Sequence, residues 1–308
     1  MSGPGVLVCD KLGKVYPNGK SALSAIDLAI PTSGIFALIG RNGAGKTTLT
    51  RILSTILEPS SGRATIGGLD VMSDASKLRE KMAVIPQEGR TISWTTPTEM
   101  IRSYLMWRGL GYDESRAKAV EAIARVGLEK QADRLNNTLS GGMKRKVLVA
   151  MVIASEADLV FLDEPSTGLD PISRQDLWNL LTDLGKSRFV FLTTHYLEEA
   201  EQIADRIGIL NGGNLIALGT LPELRGRLKY QYSLKAPGGT ALPQVEGETI
   251  VRRDGQVQIM TTEDEALTIS KGLIEQREQF SVNPVTLDDI FHYLVAHSDE
   301  PGGGRPGQ

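Results

Sequence analysis

The sequence predicts an α/β fold built on a parallel sheet, and three stretches carry that prediction. Residues 35–39, Ile-Phe-Ala-Leu-Ile, run into Gly40-Arg41-Asn42-Gly43-Ala44-Gly45-Lys46-Thr47-Thr48, and residues 49–57 follow with helical spacing. Residues 159–162, Leu-Val-Phe-Leu, are met at once by Asp163 and Glu164, and residues 189–193 repeat the apolar pattern and end at Thr194-His195. Short, continuously apolar strands separated by helical stretches read as strands covered on both faces. In open sheets of this kind ligands sit at the carboxyl ends of the strands, where all three stretches place their polar residues.

Composition sets the bounds. A length of 308 residues suggests about two domains, and 41% hydrophobic with 23% charged residues fits a globular protein with a proper core. The net charge of −3 supplies no basic field for nucleic acid. A single cysteine, Cys9, excludes an intrachain disulfide and suits a reducing compartment. The opening Met-Ser-Gly-Pro-Gly-Val lacks the basic-then-apolar order of a signal peptide. The longest apolar run, residues 147–154, is far short of the ~20 residues that cross a bilayer.

In chain order, residues 6–15 and 25–30 read as strands around the turn Pro17-Asn18-Gly19. Tyr16 between them has two open readings, packing or stacking on a purine. Residues 63–66 form a short strand, and 82–87 another that ends at Pro86-Gln87, so Gln87 stands where a side chain can enter a cleft. Trp94, isolated in a polar segment, either caps a core or meets a partner. Helices are predicted from Thr98-Glu99 and from Asp113-Glu114, and a third over 143–155 after Leu139-Ser140-Gly141-Gly142. Its first turn carries Lys144, Arg145 and Lys146, which oppose the helix dipole. Either an anion docks at this end, or a serine cap precedes a solvated basic face. Pro171 opens a helix after the turn 165–170. Glu198 and Glu199 suit the first turn of another helix starting at 196, and residues 207–218 close a hairpin around Asn211-Gly212-Gly213. Beyond residue 222 a small α+β appendage is expected: strands at 230–236, 249–253 and 257–261, a loop at Pro237-Gly238-Gly239, a hairpin turn at 254–256, helices at 263–277 and 286–295, and a disordered tail.

The chemistry starts at the glycine-rich turn. Strand, turn and helix in that order make G-x-x-x-x-G-K-[ST] a phosphate-binding loop. Glycines 40, 43 and 45 permit backbone angles closed to other residues and let N–H groups approach an anion. Lys46 would reach the β- and γ-phosphates, and the Thr47 hydroxyl would ligate Mg2+. Asp163 suits a Mg2+ ligand acting through the metal's water shell, and Glu164 can accept a proton from water. His195, level with these acids, is placed to face the nucleotide. The chain therefore binds a nucleoside triphosphate.

In this order the motifs resemble the nucleotide-binding subunit of an ATP-binding-cassette (ABC) transporter over about residues 6–221. Residues 40–48 match its Walker A, Gln87 its Q-loop, and Leu139-Ser140-Gly141-Gly142-Met143 its signature. Residues 159–163 then Glu164 match Walker B with its catalytic glutamate, 166–170 the D-loop ending in Asp170, and His195 the switch histidine. Tyr16 matches the aromatic that stacks on adenine. The stretches Thr193-Thr194-His195-Tyr196-Leu197-Glu198-Glu199-Ala200 and Thr286-Leu287-Asp288-Asp289-Ile290-Phe291 are similar to subunits that serve ABC-2-type permeases, such as daunorubicin-type exporters. Met143 departs from the usual glutamine and Lys146 from a frequent arginine, while the signature serine and glycines stand.

The resemblance implies a P-loop cassette: a RecA-like core, an antiparallel β subdomain and a helical signature subdomain at about 88–156, together residues 1–226. An α+β domain at 227–297 and a disordered tail at 298–308 would follow. It implies ATP and Mg2+ as cofactors, and a head-to-tail pair in which Ser140, Gly141 and Gly142 complete the other copy's site. Lys46 and the loop amides from Gly40 to Thr48 would hold phosphates, Asp170 would border the nucleotide, and Thr47, Gln87 and Asp163 would hold the metal. Glu164 would polarise water and His195 would contact the γ-phosphate. The implied setting is the cytoplasmic face of a membrane, beside a separate permease that exports a drug, lipid or other amphipathic substrate. The alternative is a soluble ABC ATPase acting on nucleic acid or ribosomes. A GTPase would need an N-K-x-D motif, which the sequence does not contain.

Overall fold

The computed structural model describes residues 5–238, 240, 248–251 and 256–298. The chain divides into two compact units, Met1–Leu215 and Ile216–Gln308.

In the first unit, β1 (Val6–Val15) and β2 (Ser21–Pro31) pair antiparallel around the predicted turn, from Val6 opposite Pro31 to Val15 opposite Ser21. Then come β3 (Ile35–Ile39), α1 (Lys46–Leu53), β4 (Ser61–Ile66) and β5 (Leu69–Asp70). Next are α2 (Ala75–Lys81), β6 (Met82–Ile85), α3 (Pro97–Trp107), α4 (Tyr112–Arg125) and α5 (Gly141–Ser155). The unit continues through β7 (Leu159–Asp163), α6 (Pro171–Gly185), β8 (Phe189–Thr194), α7 (Leu197–Ile203), β9 (Arg206–Asn211) and β10 (Asn214–Gly219), where it gives way to the second unit.

Two sheets result. A four-stranded one has the order β2-β1-β4-β5, and a six-stranded one the order β10-β9-β3-β8-β7-β6. In the larger sheet β9, β3, β8, β7 and β6 run parallel. Strands β3 and β7 are buried at every position, which is why they read as unbroken apolar runs. Phe191 anchors the core between Phe36 and Phe161, with ring centroids at 5.2 and 5.5 Å. This geometry lines up the carboxyl ends of β3, β7 and β8.

Helix α3 begins one residue before its predicted start. Thr96 and Glu99 form a reciprocal capping box, and Pro97 takes the first position, where a missing N–H costs nothing. Helix α1 occupies 46–53 rather than 49–57. It stops because Thr55 adopts φ +63° and the amides of Ile56 and Leu57 turn back onto the Arg51 carbonyl at 2.8 and 3.0 Å.

The second unit holds α8 (Leu221–Gly226), β11 (Tyr232–Pro237), β12 (Glu248–Val251), β13 (Gln256–Thr261), α9 (Glu263–Glu275), β14 (Ser281–Pro284) and α10 (Leu287–Ser298). Its sheet, β12-β13-β11-β14, pairs antiparallel over a core of Leu234, Ala236, Ile259, Ile269 and Leu273. The boundary expected at 226 falls after α8. The structure assigns α8 to this unit, where Arg225 Nε donates to the Val285 carbonyl at 2.8 Å. Residues 1–4, loop residue 239, residues 252–253 of the expected strand, turn residues 254–255 and tail residues 299–308 lie outside the described residues, and residue 298, expected in the tail, ends α10. No helix among the described residues is long and apolar enough to cross a membrane.

Candidate active site

The loop after β3 carries the first half of the site. Gly43 and Gly45 take φ +84° and +109°, the left-handed region that a Cβ disfavours. Gly40 does not share that conformation, so its predicted role is corrected: a Cβ there would lie 2.4 Å from the Leu210 carbonyl oxygen. It is glycine for closeness, not for angle. Ala44 is buried, and Arg41 and Asn42 are exposed. Beginning α1 at Lys46 leaves the first-turn amides, those of Thr47 and Thr48 included, without carbonyl partners inside the helix, which is the electrostatics an anion seeks. The Thr48 hydroxyl lies 3.2 Å from the Tyr16 hydroxyl, so the tyrosine stands against this helix.

Lys46 is only 5% exposed. Its Nζ donates to the carbonyls of Gly40 at 2.8 Å and Arg41 at 3.3 Å, and lies 3.5 Å from Glu164 Oε1. Burial pulls its pKa below the usual lysine value, against the opposing charges of Glu164 and Asp163.

The acids arrive on β7. Asp163, 3% exposed, ends that strand directly opposite Thr193 of β8, whose hydroxyl donates to its Oδ1. Glu164 then turns left-handed at φ +48°, with its N–H directed to the carbonyl and hydroxyl oxygens of Thr193 at 3.0 and 3.1 Å. The turn swings its carboxylate across the strand ends. Glu164 Oε2 lies 3.1 Å from His195 Nδ1 and accepts from the Thr167 hydroxyl at 3.1 Å and Gln87 Nε2 at 3.4 Å. Lys46, Gln87 and His195, far apart in sequence, therefore meet around one carboxylate.

The signature residues stand apart from this cluster. Ser140 caps α5, its hydroxyl accepting from the Met143 amide at 3.3 Å. Gly142 packs so closely on α6 that a Cβ would lie 2.6 Å from Ser173 Oγ. Asp170 caps α6 by accepting from the Ser173 hydroxyl at 2.6 Å and its amide at 3.0 Å, bonds that lower its pKa. Among the described residues no hydrogen bond joins 140–142 to 40–48.

Three expectations resolve differently from how they stood. The basic start of α5 is not one solvated face: Arg145 turns inward at 9% exposure, while Lys146 pairs with Asp176 at 2.9 Å. Trp94, 79% exposed, caps no core. Glu199 is no surface partner of a helix dipole. It is fully buried, accepts the Trp178 indole N–H at 3.0 Å, and burial raises its pKa. Thr167 and Thr193 were missed. The parallel register that sets Asp163 opposite Thr193 is the signal that finds the second.

Oxygen donors at Thr47, Gln87 and Asp163 suit a hard cation such as Mg2+, which takes few protein ligands beside phosphate and water. Among the described residues there is no group of three His, Cys, Asp or Glu that would serve a transition metal.

A buried lysine heading a helix behind a glycine loop, facing two carboxylates at the end of one strand of the same parallel sheet, defines a phosphate-loop nucleoside triphosphatase. The sequence profile of the ABC transporter family matches residues 23–167. The chain is 35% identical over 303 residues to the daunorubicin/doxorubicin resistance ATP-binding protein DrrA of Streptomyces peucetius, covering 93% of this chain and 91% of that protein. It is 34% identical over 289 residues to the daunorubicin resistance ATP-binding protein DrrA3 of Streptomyces coeruleorubidus, covering 90% and 92%. Among solved structures, cbiO1 from Clostridium perfringens, part of the ABC transporter complex cbiONQ, superposes with a TM-score of 0.65 at 27% identity over 72% of this chain and 91% of that one.

The chain belongs to the ABC transporter family, in the group of the daunorubicin-resistance ATP-binding proteins. It is an ATP-binding and ATP-hydrolysing subunit.

Proposed function

We propose that this subunit drives export of an amphipathic compound through a separate membrane permease, working as a head-to-tail pair with a second copy of itself. The observation that carries the reading is the Glu164 carboxylate, gathered against Lys46, Gln87 and His195 at the mouth of the phosphate loop. A nearly full-length match to resistance proteins favours export over a soluble ATPase acting on nucleic acid or ribosomes.

In this reading the amides from Gly43 to Thr48 take the β-phosphate, and Lys46 exchanges its Gly40 and Arg41 carbonyls for phosphate oxygens. Tyr16 stacks on the adenine. Thr47, Gln87 and Asp163 hold Mg2+, which when bound neutralises phosphate charge. Thr193 orients Asp163 for this work. Glu164 orients and polarises the attacking water, and His195, hydrogen-bonded to Glu164, follows the γ-phosphate. Catalysis here is positioning and electrostatics. Ser140, Gly141 and Gly142 present an N-terminal helix end to the neighbour's γ-phosphate, and Asp170 borders the same seam. A two-fold pairing builds both sites at once. Loss of the γ-phosphate removes contacts from both chains, so the pair opens and the permease, docked on the cytoplasmic face beside Gln87 and Trp94, resets.

Co-expression of the chain with its permease in a drug-sensitive host tests the reading. Accumulation of amphipathic drugs, daunorubicin among them, falls with the wild-type chain and returns to the host level with Glu164→Gln. Equal accumulation in both strains across the panel rejects the export role.

A further inference from the structure

Glu164 occupies a strained position. A non-glycine residue at φ +48° gives up about 1–2 kcal/mol relative to ordinary backbone, so something must hold the turn. One side is held by Thr193, which receives the Glu164 N–H. The other side is held by Arg145, one turn into α5. Its Nε donates to the Pro165 carbonyl at 2.6 Å, and one terminal nitrogen donates to the Glu164 carbonyl at 3.0 Å, with the Asp163 carbonyl at 3.5 Å. A planar guanidinium presents donors in a fixed fork, so these contacts set the direction of the 163–165 peptides as well as binding them. Glu199 and Asp163 supply the opposing charge for this cation, and Glu199 is itself locked by Trp178.

We propose that Arg145 is a positioning residue for the hydrolysis step: it clamps the backbone of residues 163–165 so that the Glu164 carboxylate points at the phosphate loop. The proposal rests on Glu164 acting on the attacking water. It also gives the N-terminal end of α5 two tasks, since the helix that Ser140 caps toward the neighbour's nucleotide is the one whose arginine sets this chain's own glutamate. Pairing at one site thereby bears mechanically on the other.

The test is a two-by-two set of full-length chains: wild type, Arg145→Gln, Glu164→Gln and the double variant, with Arg145→Lys alongside. Each is assayed with Mg2+ and ATP for kcat and KM, by single-turnover hydrolysis where rates are low, and for ATP affinity by equilibrium binding. Arg145→Gln lowers kcat by about a hundredfold, the scale of a displaced catalytic group, while KM and ATP affinity stay within about twofold. Arg145→Lys recovers part of kcat. In the Glu164→Gln background Arg145→Gln has no further effect, because there is no longer a carboxylate to aim. An equal proportional loss in both backgrounds overturns the positioning role, as does a fall in affinity that matches the fall in kcat. Should Arg145→Gln fail to fold, Arg145→Lys decides by the same comparison. Normal turnover by Glu164→Gln alone removes the base assignment and the clamp with it, an outcome distinct from additivity on an already inactive background.

Discussion

The phosphate-loop end and the signature end of this chain are built to different degrees of completion. At the first, one carboxylate is met by side chains from α1, from the segment after β6, from the turn after β7 and from the end of β8. At the second, Ser140 does no more than cap its own helix, and a Cβ added at Gly141 would meet nothing within 4 Å. The first is a preorganised pocket whose internal bonds a nucleotide must exchange. The second is a capped helix start at which Gly141 faces open space. Preorganisation concentrates where charge develops during reaction.

The largest test of this contrast removes the shared carboxylate. Glu164→Gln lowers hydrolysis by about 10²–10⁴-fold, the range for a lost general base, and keeps ATP binding. An ATP-bound pair accumulates, visible as a mass doubling by light scattering. Next, Gly141→Arg places a large side chain in open space: ATP affinity and melting temperature hold at the wild-type values while ATP-driven pairing disappears. Loss of affinity in this variant would show that the signature end serves its own chain's nucleotide.

Lys46→Ala gives the mirror result, with ATP affinity reduced about ten- to a hundredfold for one lost charge-assisted contact, measured by equilibrium binding. The smallest effect falls on Glu199. Its folded pKa lies above the ordinary carboxylate value of 4.5, so its favourable contribution is complete below that pH and fades as pH rises through the folded value. Thermal melts therefore show Glu199→Gln gaining on the wild type as pH rises above 4.5. A constant difference above pH 4.5 would mean that burial does not raise the pKa of this carboxyl.

The placement of the candidate site was legible in the sequence wherever a side chain stands at the end of a buried strand or opens a helix. Lys46, Asp163, Glu164 and His195 belong to that group, because apolar runs mark strands and the residue after each run marks the sheet's edge. Pro171 was legible as a first helical position, while Asp170, expected as a turn residue, also caps that helix. Arg145 and Glu199 were not. Local pattern assigns a charged residue in a helix's first turns to solvent, and only the packing of α5, α6 and α7 around the turn after β7 buries these two. Gly40 misled in a related way, since sequence cannot separate a glycine required by φ from one required by a neighbouring carbonyl. Helices α2 and α8 escaped because helices of seven and six residues carry too few turns for a periodic signal.

Cys9 has a practical consequence. It lies buried in β1, where desolvation, aided by Asp27, pushes its thiol up to about 12, and it is the one sulfhydryl in the sequence. Thiolate is the form that reacts, so the native chain is close to blank toward alkylating and crosslinking reagents at neutral pH. Pairs of introduced cysteines can report the register of two copies without first purging the background. Exposed Asn42 and Gly141 are the positions to use, whereas a side chain at Gly45 would strike the Ala22 carbonyl before any bridge could form.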